Sequence, residues 1–259
     1  MTTSPAPPRP LLSIIIPAYN EEKRLPGSLD KILAWRQSAA YGVEILIVEN
    51  GSRDQTTAVA EAYARQHHDL RVLHSAKGKG AAVRLGMFEG RGEYLFICDS
   101  DLSMPIAEVE KFLPPRLNGY DVIIGSREAP GAVRYDEPEY RHLMGRVFNW
   151  IVRLLAVPGF HDTQCGFKMF KREAAHDVFA DQTITGWTFD VEALFLARRR
   201  GYRIAEAPIH WYFDADSRVD PIRDTWRMFW DVIRIRLNAV RGVYGQLPPA
   251  PPRALAKRP

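Results

Sequence analysis

Two aspartates, Asp99 and Asp101, follow the apolar run in "LFICDSD" (95–101). A carboxylate at the end of a buried strand is costly unless it is paired, hydrogen-bonded or bound to a cation. Side chains two apart on an extended backbone point the same way, so the pair predicts a fork suited to a hard divalent cation such as Mg²⁺ or Mn²⁺. The alternative is two surface aspartates, one of which caps a helix beginning near Pro105.

Three further polar clusters follow apolar runs in the same way. They read "PAYNEE" (17–22), "ENGSRD" (49–54) and "GSR" (125–127). In a parallel α/β sheet, ligands gather beyond the carboxyl ends of the strands. The four clusters together therefore predict one ligand site at that edge of a sheet, which no single cluster would establish.

The elements that must position these clusters alternate between strands and helices. Apolar strands are expected at 11–17, 43–49, 70–75, 93–101 and 120–127, with helices at 22–38, 56–66, 80–89 and 106–117 between them. Alternation of this kind, with continuously apolar strands, predicts an α/β fold with a mostly parallel central sheet flanked by helices.

The second half of the chain contains two amphipathic helical patterns, at 140–156 and 221–242. One apolar stripe comprises Leu143, Val147, Ile151 and Leu154; the other comprises Ile222, Trp226, Phe229, Trp230, Ile233, Leu237 and Val240. The flanking arginines are Arg141, Arg146, Arg153, Arg223, Arg227, Arg234, Arg236 and Arg241. Basic-rimmed amphipathic helices can lie at an anionic membrane interface, so peripheral membrane contact is expected. The alternative is that both stripes pack on the sheet.

The composition is that of an ordinary globular protein and limits the classes of partner. Of the 259 residues, 46% are hydrophobic and 25% are charged, and the net charge is +4. This mild basic excess fits phosphate-bearing ligands or an anionic membrane surface, whereas dispersed arginines and the lack of a recognised module argue against nucleic-acid binding. Cys98 and Cys165 form no C-x-x-C pair, which favours a reducing cytosol.

The chain ends differ in composition from the region between them. Residues 1–10 and 246–259 are rich in proline and are expected to be disordered tails around a single folded domain at 11–245. The longest apolar runs are strand-sized, so no transmembrane helix is expected, and the first residues lack the apolar stretch of a secretory signal.

Six motifs occur in a familiar order: "SIIIPAYNEE", "IVENGSRDQT", "KGKGAAVRLGM", "FICDSDLSMP", "IIGSR" and "DTQCGFKMF". Over about residues 11–240, the chain resembles inverting family-two glycosyltransferases, above all the dolichyl- or polyprenyl-phosphate sugar synthases. The resemblance implies a single GT-A domain, with residues 11–128 as the nucleotide-sugar half and 129–245 as the acceptor half. It also implies that Asp99 and Asp101 hold a metal ion on the donor diphosphate.

The resemblance assigns donor-side roles to several residues. The nucleoside pocket would be lined by Pro17, Ala18, Tyr19, Glu21, Glu49 and Asn50. Asn50 replaces an acid of the family motif, and because an amide both donates and accepts, the choice of base stays open. Lys79 would reach the donor, and Gly78 and Gly80 would let the backbone approach it closely. Arg218 would close over the diphosphate.

On the acceptor side, the resemblance assigns Arg127 and Asp190, and it makes "DTQCGFKMF" (162–170) an acceptor-side loop with Gln164 and Lys168 as polar contacts. Asp101, Asp190 and Arg127 would form the catalytic set. Arg127 offers a planar fork to a phosphate of the donor or the acceptor. A hydroxyl acceptor would need Asp190 as a general base. A lipid monophosphate is largely dianionic at neutral pH, so Asp190 would then only position the acceptor, the metal or a loop.

The expected function is metal-dependent, inverting transfer of a hexose to a polyprenyl or dolichyl monophosphate on the cytoplasmic face of a membrane. UDP-glucose is the first donor expected and GDP-mannose the second. The alternatives are transfer to a glycan or small-molecule hydroxyl, and nucleotide-sugar binding without catalysis. The oligomeric state is left open.

Overall fold

The central element is a seven-stranded sheet. The computed structural model describes residues 9–116, 118–214 and 223–245, so most of both predicted tails lies outside the described residues. The strands of the described part are β1 (Leu12–Ala18), β2 (Val43–Glu49), β3 (Leu70–His74), β4 (Tyr94–Ile97), β5 (Val122–Ser126), β6 (Val133–Tyr135), β7 (Lys168–Lys171), β8 (Ile204–Pro208) and β9 (His210–Tyr212). The sheet order is β3-β2-β1-β4-β7-β5-β8, and β6 pairs with β9 in a separate two-stranded sheet.

The central strands form because their sequences are apolar on both faces. Every residue of β1 and of β2 is buried. Strand β1 pairs in parallel with β2 on one side and with β4 on the other. A strand covered on both faces has no solvated side, which is why these segments read as continuous apolar runs. The predicted mostly parallel sheet is confirmed.

Strand β7 is a departure from that pattern. It lies antiparallel between β4 and β5, so that the two halves of the sheet meet through it. The sequence analysis treated "DTQCGFKMF" as a loop, because four residues carry too little periodicity to distinguish a strand. Phe167, Met169 and Phe170 of this segment are buried.

Helices cover both faces of the sheet. They are α1 (Leu25–Ser38), α2 (Thr56–Gln66), α3 (Lys79–Glu89), α4 (Glu139–Leu155), α5 (Arg172–Ala180), α6 (Phe189–Arg199) and α7 (Arg223–Val240). One apolar core includes Val83, Phe179 and Phe195, and the other includes Leu29, Ile32 and Phe112. The helix predicted at 106–117 is wrong in type and length, because only a 3₁₀ helix, Ile106–Lys111, forms there. Two prolines follow at 114 and 115, and proline cannot continue a helical hydrogen-bond ladder.

The outer helices α4 and α7 leave part of their apolar stripes exposed, whereas the alternative expectation was that both stripes pack on the sheet. On α7, Val232 and Ile235 are buried, whereas Trp226, Trp230, Leu237 and Val240 are exposed. On α4, Val152 is buried and Leu154 is exposed. Ile222 and the side chains of Arg141, Leu143, Val147 and Ile151 lie outside the described residues. Among the described helices, none combines the length and the apolar content needed to cross a bilayer.

Candidate active site

Asp99 and Asp101 lie in a turn after β4, which ends at Ile97. The predicted reason for their alignment, alternation along an extended strand, is therefore wrong. The turn is held by its own hydrogen bonds: the Ser103 N–H donates to Asp101 Oδ1 at 2.9 Å, and the Leu102 N–H donates to the Asp99 carbonyl at 3.3 Å. Ser28 Oγ of α1 also donates to the Ser100 carbonyl at 2.7 Å. The turn thus fixes both carboxylates beyond the carboxyl end of the strand.

Lys79, the first residue of α3, neutralises part of this charge. Its Nζ lies 2.6 Å from Asp99 Oδ1. Burial lowers the pKa of Lys79, but the carboxylates of Asp99, Asp190 and Asp101 outweigh burial and raise it. Lys79 is therefore a permanent cation at the edge where a donor diphosphate is expected.

The two aspartates fit a divalent cation. Burial raises the pKa of Asp101, and the nearby Asp99 carboxylate raises it further. Two carboxylates that repel each other in this way gain from a shared cation. Within the described residues, no group of three or more His, Cys, Asp or Glu side chains could hold a metal ion. Mg²⁺ is typically bound through one or two carboxylates together with substrate phosphates, so the pair is sufficient for an ion that arrives with the donor.

Gly166, which the sequence analysis passed over, leaves the space that Asp99 occupies. A Cβ on Gly166 would overlap the Asp99 carboxylate. Only glycine therefore allows the segment before β7 to pass so close to the turn that carries Asp99 and Asp101. The only sequence signal for this contact is the glycine in "CGFK", whose partner is 67 positions away.

Asp190, in the first turn of α6, forms a buried ion pair with Lys168 of β7. Lys168 Nζ lies 3.2 Å from Asp190 Oδ1 and also donates to the Cys165 carbonyl. Lys168 is 1% exposed and Asp190 is 6% exposed. Burial raises the pKa of Asp190, although Lys168 and Lys79 oppose that effect. Lys168 was an expected polar contact of the acceptor, but the structure shows it inside the core as the partner of Asp190.

Arg127 follows β5 as expected, but its guanidinium binds a carboxylate of the chain. Its Nε lies 2.7 Å from Asp162 Oδ2 and its Nη2 lies 3.1 Å from Asp162 Oδ1. Burial raises the pKa of Asp162, and the Arg127 cation outweighs it and lowers the pKa to about 2. The same guanidinium lies over the Trp211 ring, with its Cζ 5.4 Å from the ring centroid. The Asp162 partner was not found from the sequence, because the two residues are 35 positions apart.

The predicted nucleoside residues lie where β1 and β2 end side by side. Pro17 and Ala18 are buried and pair in register with Val48 and Glu49. Glu21 is buried and pairs with Arg24, whose Nε is 2.7 Å from Glu21 Oε2. The backbone loops that follow are joined by Asn20, whose N–H donates to Ser52 Oγ at 3.0 Å and whose Oδ1 accepts from the Arg53 N–H at 2.7 Å.

Glu49 and Asn50 differ in how their side chains are satisfied. Burial raises the pKa of Glu49, but hydrogen bonds from Ser52 and His74 outweigh it and lower the pKa. Asn50 is 4% exposed, and its Oδ1 has no hydrogen-bond partner among the described residues. A buried carbonyl without a donor is costly, so this oxygen is available to a ligand donor. Tyr19, close by, lies under the Lys77 ammonium at 5.1 Å.

Gly78 and Gly80, on either side of Lys79, lie against the segment before α6 and the start of α6. The Gly80 N–H donates to the Thr185 carbonyl at 2.9 Å, and Gly78 has φ of +130°. A Cβ on Gly80 would lie 2.7 Å from Phe189 Cβ. These glycines are thus needed for contact with the segment before α6, which the sequence analysis did not foresee.

Two further predicted site residues remain. The Gln164 N–H donates to Asp162 at 3.2 Å, and Arg218 lies outside the described residues.

The fold and the charged edge of the sheet define a glycosyltransferase of the GT-A type. Residues 13–179 match the family described as glycosyl transferase family 2. The human dolichyl-phosphate beta-glucosyltransferase is 35% identical over 253 residues, covering 92% of this chain and 78% of that protein. A dolichyl-phosphate beta-glucosyltransferase of Dictyostelium discoideum is 32% identical over 248 residues, covering 90% and 76%. The chain belongs to glycosyl transferase family 2, and the predictions of this family and of a glycosyltransferase are confirmed.

Solved structures confirm the fold. Glucosyl-3-phosphoglycerate synthase from Mycobacterium tuberculosis in complex with UDP has a TM-score of 0.64 at 20% identity, covering 93% of this chain and 82% of that chain. The same enzyme in complex with Mn²⁺ and UDP-glucose has a TM-score of 0.62 at 20% identity, covering 88% and 78%. The fold therefore accommodates a nucleotide sugar and a divalent ion in that enzyme.

Proposed function

We propose that this chain transfers glucose from UDP-glucose to dolichyl or polyprenyl monophosphate, with Mg²⁺ or Mn²⁺ held by Asp99 and Asp101. The observation that carries the proposal is the Lys79–Asp99 pair beside Asp101, beyond the carboxyl end of β4. The glucosyl group and the dolichyl phosphate acceptor are inferred from relatives about one third identical over nine tenths of the chain, whose names state them. UDP-glucose is the donor expected from the family resemblance. GDP-mannose is the second donor to test.

The chemistry follows from the charges at the site. A bound divalent ion offsets the negative charge that develops on the departing nucleotide diphosphate. Lys79 adds a fixed positive charge at the same edge, which also reduces repulsion between the donor diphosphate and an anionic acceptor. An acceptor phosphate oxygen attacks the anomeric carbon from the face opposite the leaving group and inverts its configuration. Positioning two anions that otherwise repel each other supplies much of the acceleration.

The state of Asp190 favours a phosphate acceptor over a hydroxyl acceptor. The buried Lys168 ammonium already binds the Asp190 carboxylate. A phosphate acceptor is already ionised at neutral pH and has no proton to give up. Asp190 can therefore act by positioning, whereas a hydroxyl acceptor would require it to accept a proton while paired with Lys168.

Contact with the cytoplasmic face of a membrane belongs to the same proposal. A long polyprenyl chain stays in the bilayer, so the site must reach it from the surface. The exposed tryptophans and arginines of α7 support such a contact.

The experiment is an acceptor and donor panel with the purified chain. UDP-glucose or GDP-mannose is incubated with dolichyl phosphate and Mg²⁺ or Mn²⁺, and the extracted lipid is analysed by mass spectrometry. Dolichol, which lacks the phosphate, is the matched acceptor control. Glucosyl-phosphoryl dolichol from UDP-glucose is expected, with a β-linked sugar. Transfer to dolichol or to a sugar hydroxyl, without transfer to the phosphate, contradicts the proposal.

Site variants complete this test. Asp99→Asn and Asp101→Asn should lose transfer, whereas Asp30→Asn on the exposed side of α1 should keep it. Asp30 accepts a hydrogen bond from Tyr63, which an asparagine oxygen can also accept, so this control changes charge without breaking the contact.

A further inference from the structure

The segment that carries Asp190 is hydrogen-bonded to α7 and to the residues after it. Thr188 Oγ1 donates to Asp231 Oδ2 at 2.8 Å, and Tyr244 OH donates to Glu192 Oε1 at 2.6 Å. Asp190 lies between Thr188 and Glu192 along the chain. The residues two positions before and two positions after this acid are therefore bonded to α7 and to Tyr244 just beyond it, and we name the four residues of these two bonds the α7 anchor.

Glu192 of the α7 anchor also organises the loop before α6. Its side chain is fully buried. It accepts from the Thr183 N–H at 3.0 Å, from Thr183 Oγ1 at 2.6 Å and from the Ile184 N–H at 2.8 Å. Asn238 of α7 donates to Thr183 Oγ1 at 3.2 Å. A carboxylate with this many donors is a rigid junction between α7 and the loop.

The same loop supports the residues around Lys79. The Gly80 N–H donates to the Thr185 carbonyl at 2.9 Å, and Gln182 Nε2 donates to the Gly80 carbonyl at 3.0 Å. Residues 182–192 thus contact α7 on one side and the start of α3 on the other. A single short segment connects the outer helix to the cation expected at the donor diphosphate.

The outer face of α7 has the chemistry of a surface for anionic lipid. Trp226 is 62% exposed, Trp230 is 52% exposed and Val240 is 87% exposed. These residues share one face of the helix, opposite the buried Val232 and Ile235. The exposed arginines of α7 and the following turn are Arg223, Arg227, Arg234, Arg236 and Arg241. Of the two acidic residues of α7, Asp224 is buried and its Oδ1 lies 3.6 Å from Arg223 Nε, and Asp231 binds Thr188.

We propose that contact between the outer face of α7 and an anionic bilayer is coupled, through the α7 anchor, to nucleotide binding beside Lys79. A helix held on a surface restricts residues 182–192, so less conformational freedom is lost when the nucleotide binds. The inference concerns regulation of the same site and rests on the proposed function. Coupling of two binding equilibria is reciprocal, so the nucleotide must tighten lipid binding by the same factor.

The test measures nucleotide binding and vesicle binding separately, each in the presence and in the absence of the other ligand. The affinity for UDP, or for GDP if only GDP binds, is measured by calorimetry in Mn²⁺ with no vesicles, with phosphatidylcholine vesicles and with phosphatidylserine-containing vesicles. Vesicle binding is measured by sedimentation with and without that nucleotide. We expect anionic vesicles to tighten nucleotide binding about fivefold or more, and nucleotide to tighten vesicle binding equally.

Two sets of variants separate the surface from the connection. Arg227→Gln/Arg234→Gln should weaken vesicle binding and leave vesicle-free nucleotide affinity unchanged, whereas Arg65→Gln/Arg116→Gln, at exposed arginines elsewhere, should change neither. Tyr244→Phe removes one donor from Glu192 and leaves its bonds from Thr183 and Ile184. This variant should keep both separate affinities and lower the coupling factor, while the Thr188–Asp231 bond carries what remains of it.

Several results would overturn the inference. Nucleotide and vesicle binding that are independent in the wild type exclude coupling, and equal effects of neutral and anionic vesicles exclude recognition of charge. An unchanged coupling factor in Tyr244→Phe excludes the Tyr244–Glu192 bond as part of the connection and overturns the anchor as defined here. If neither nucleotide binds at all, the proposed function fails as well, whereas transfer without coupling overturns only this inference.

Discussion

Replacement of Asp190 by asparagine tests its buried ion pair with Lys168. The substitution keeps the shape of the side chain but removes the charge opposite Lys168, which is 1% exposed. Removing one partner of a buried ion pair costs about 3–5 kcal/mol, because the other charge stays buried without compensation. For a domain of this size, about 1 kcal/mol corresponds to about 2–4 °C, so we expect a Tm lower by about 6–20 °C.

A double-mutant cycle with Lys168→Met isolates the pair. Lys168→Met alone should cost less than Asp190→Asn, because Asp190 keeps Lys79 as a neighbour and burial favours its neutral form. The double variant removes both charges and should regain about 2 kcal/mol or more of the loss caused by Asp190→Asn. Urea unfolding of the four proteins measures these free energies. Additive effects, or an Asp190→Asn variant as stable as the wild type, would refute the reasoning.

This cycle also decides what loss of turnover in Asp190→Asn means. A simple loss of activity cannot identify a general base, because the variant is destabilised. The double variant regains part of the lost stability, and comparing its turnover with that of Lys168→Met reports the role of Asp190 without the buried unpaired lysine. A general base contributes about 10²–10⁴-fold. A phosphate acceptor therefore predicts a smaller loss than this range, and a loss at its upper end favours a hydroxyl acceptor.

Three further predictions follow from burial and close contact. The pKa of Asp162 is lowered to about 2, which contributes about 2 kcal/mol of stability that is present above about pH 4 and lost as the pH falls through 2. In urea unfolding at a series of acidic pH values, Asp162→Asn should lack this loss. The same dependence of stability on pH in the variant and the wild type would contradict it. Gly166→Ala should displace Asp99 and weaken Mn²⁺-dependent nucleotide binding, measured by calorimetry, at least tenfold. Gly186→Ala is the control, because no atom lies near its Cβ, and it should keep the wild-type affinity. Equal nucleotide affinities of the two variants would exclude the contact between Gly166 and Asp99. Burial raises the pKa of Cys98 and of Cys165, the latter to about 12, so neither thiol should react with Ellman's reagent at pH 8 until urea unfolds the chain.

The local elements of the first half were predictable because their sequences decide them. The expected strand at 43–49 and helix at 56–66 have the bounds of β2 and α2. Both depend on patterns within about ten residues, namely continuous apolar burial for the strand and a periodic face for the helix. Membership of family 2 also followed from short ordered motifs that fall at the ends of such elements.

The contacts that complete the site depend on residues distant in sequence, and these were not predictable. In the sequence, Asp162 looks like an ordinary loop aspartate, because its ion-pair partner Arg127 is its neighbour only in the folded chain. Gly166 becomes essential only because Asp99 lies against it. The direction in which Trp226 points was also open, since periodicity identifies an apolar face but does not reveal whether that face is covered.

Calorimetric titration of UDP-glucose is the most direct test of the claim that Asp99 and Asp101 recruit the donor through a divalent ion. The wild type and Asp30→Asn should bind UDP-glucose in Mn²⁺ and lose most of that affinity in EDTA. Asp101→Asn should bind no better in Mn²⁺ than the wild type does in EDTA. Equal affinity of the wild type in Mn²⁺ and in EDTA, or full Mn²⁺-dependent affinity in Asp101→Asn, would contradict the claim.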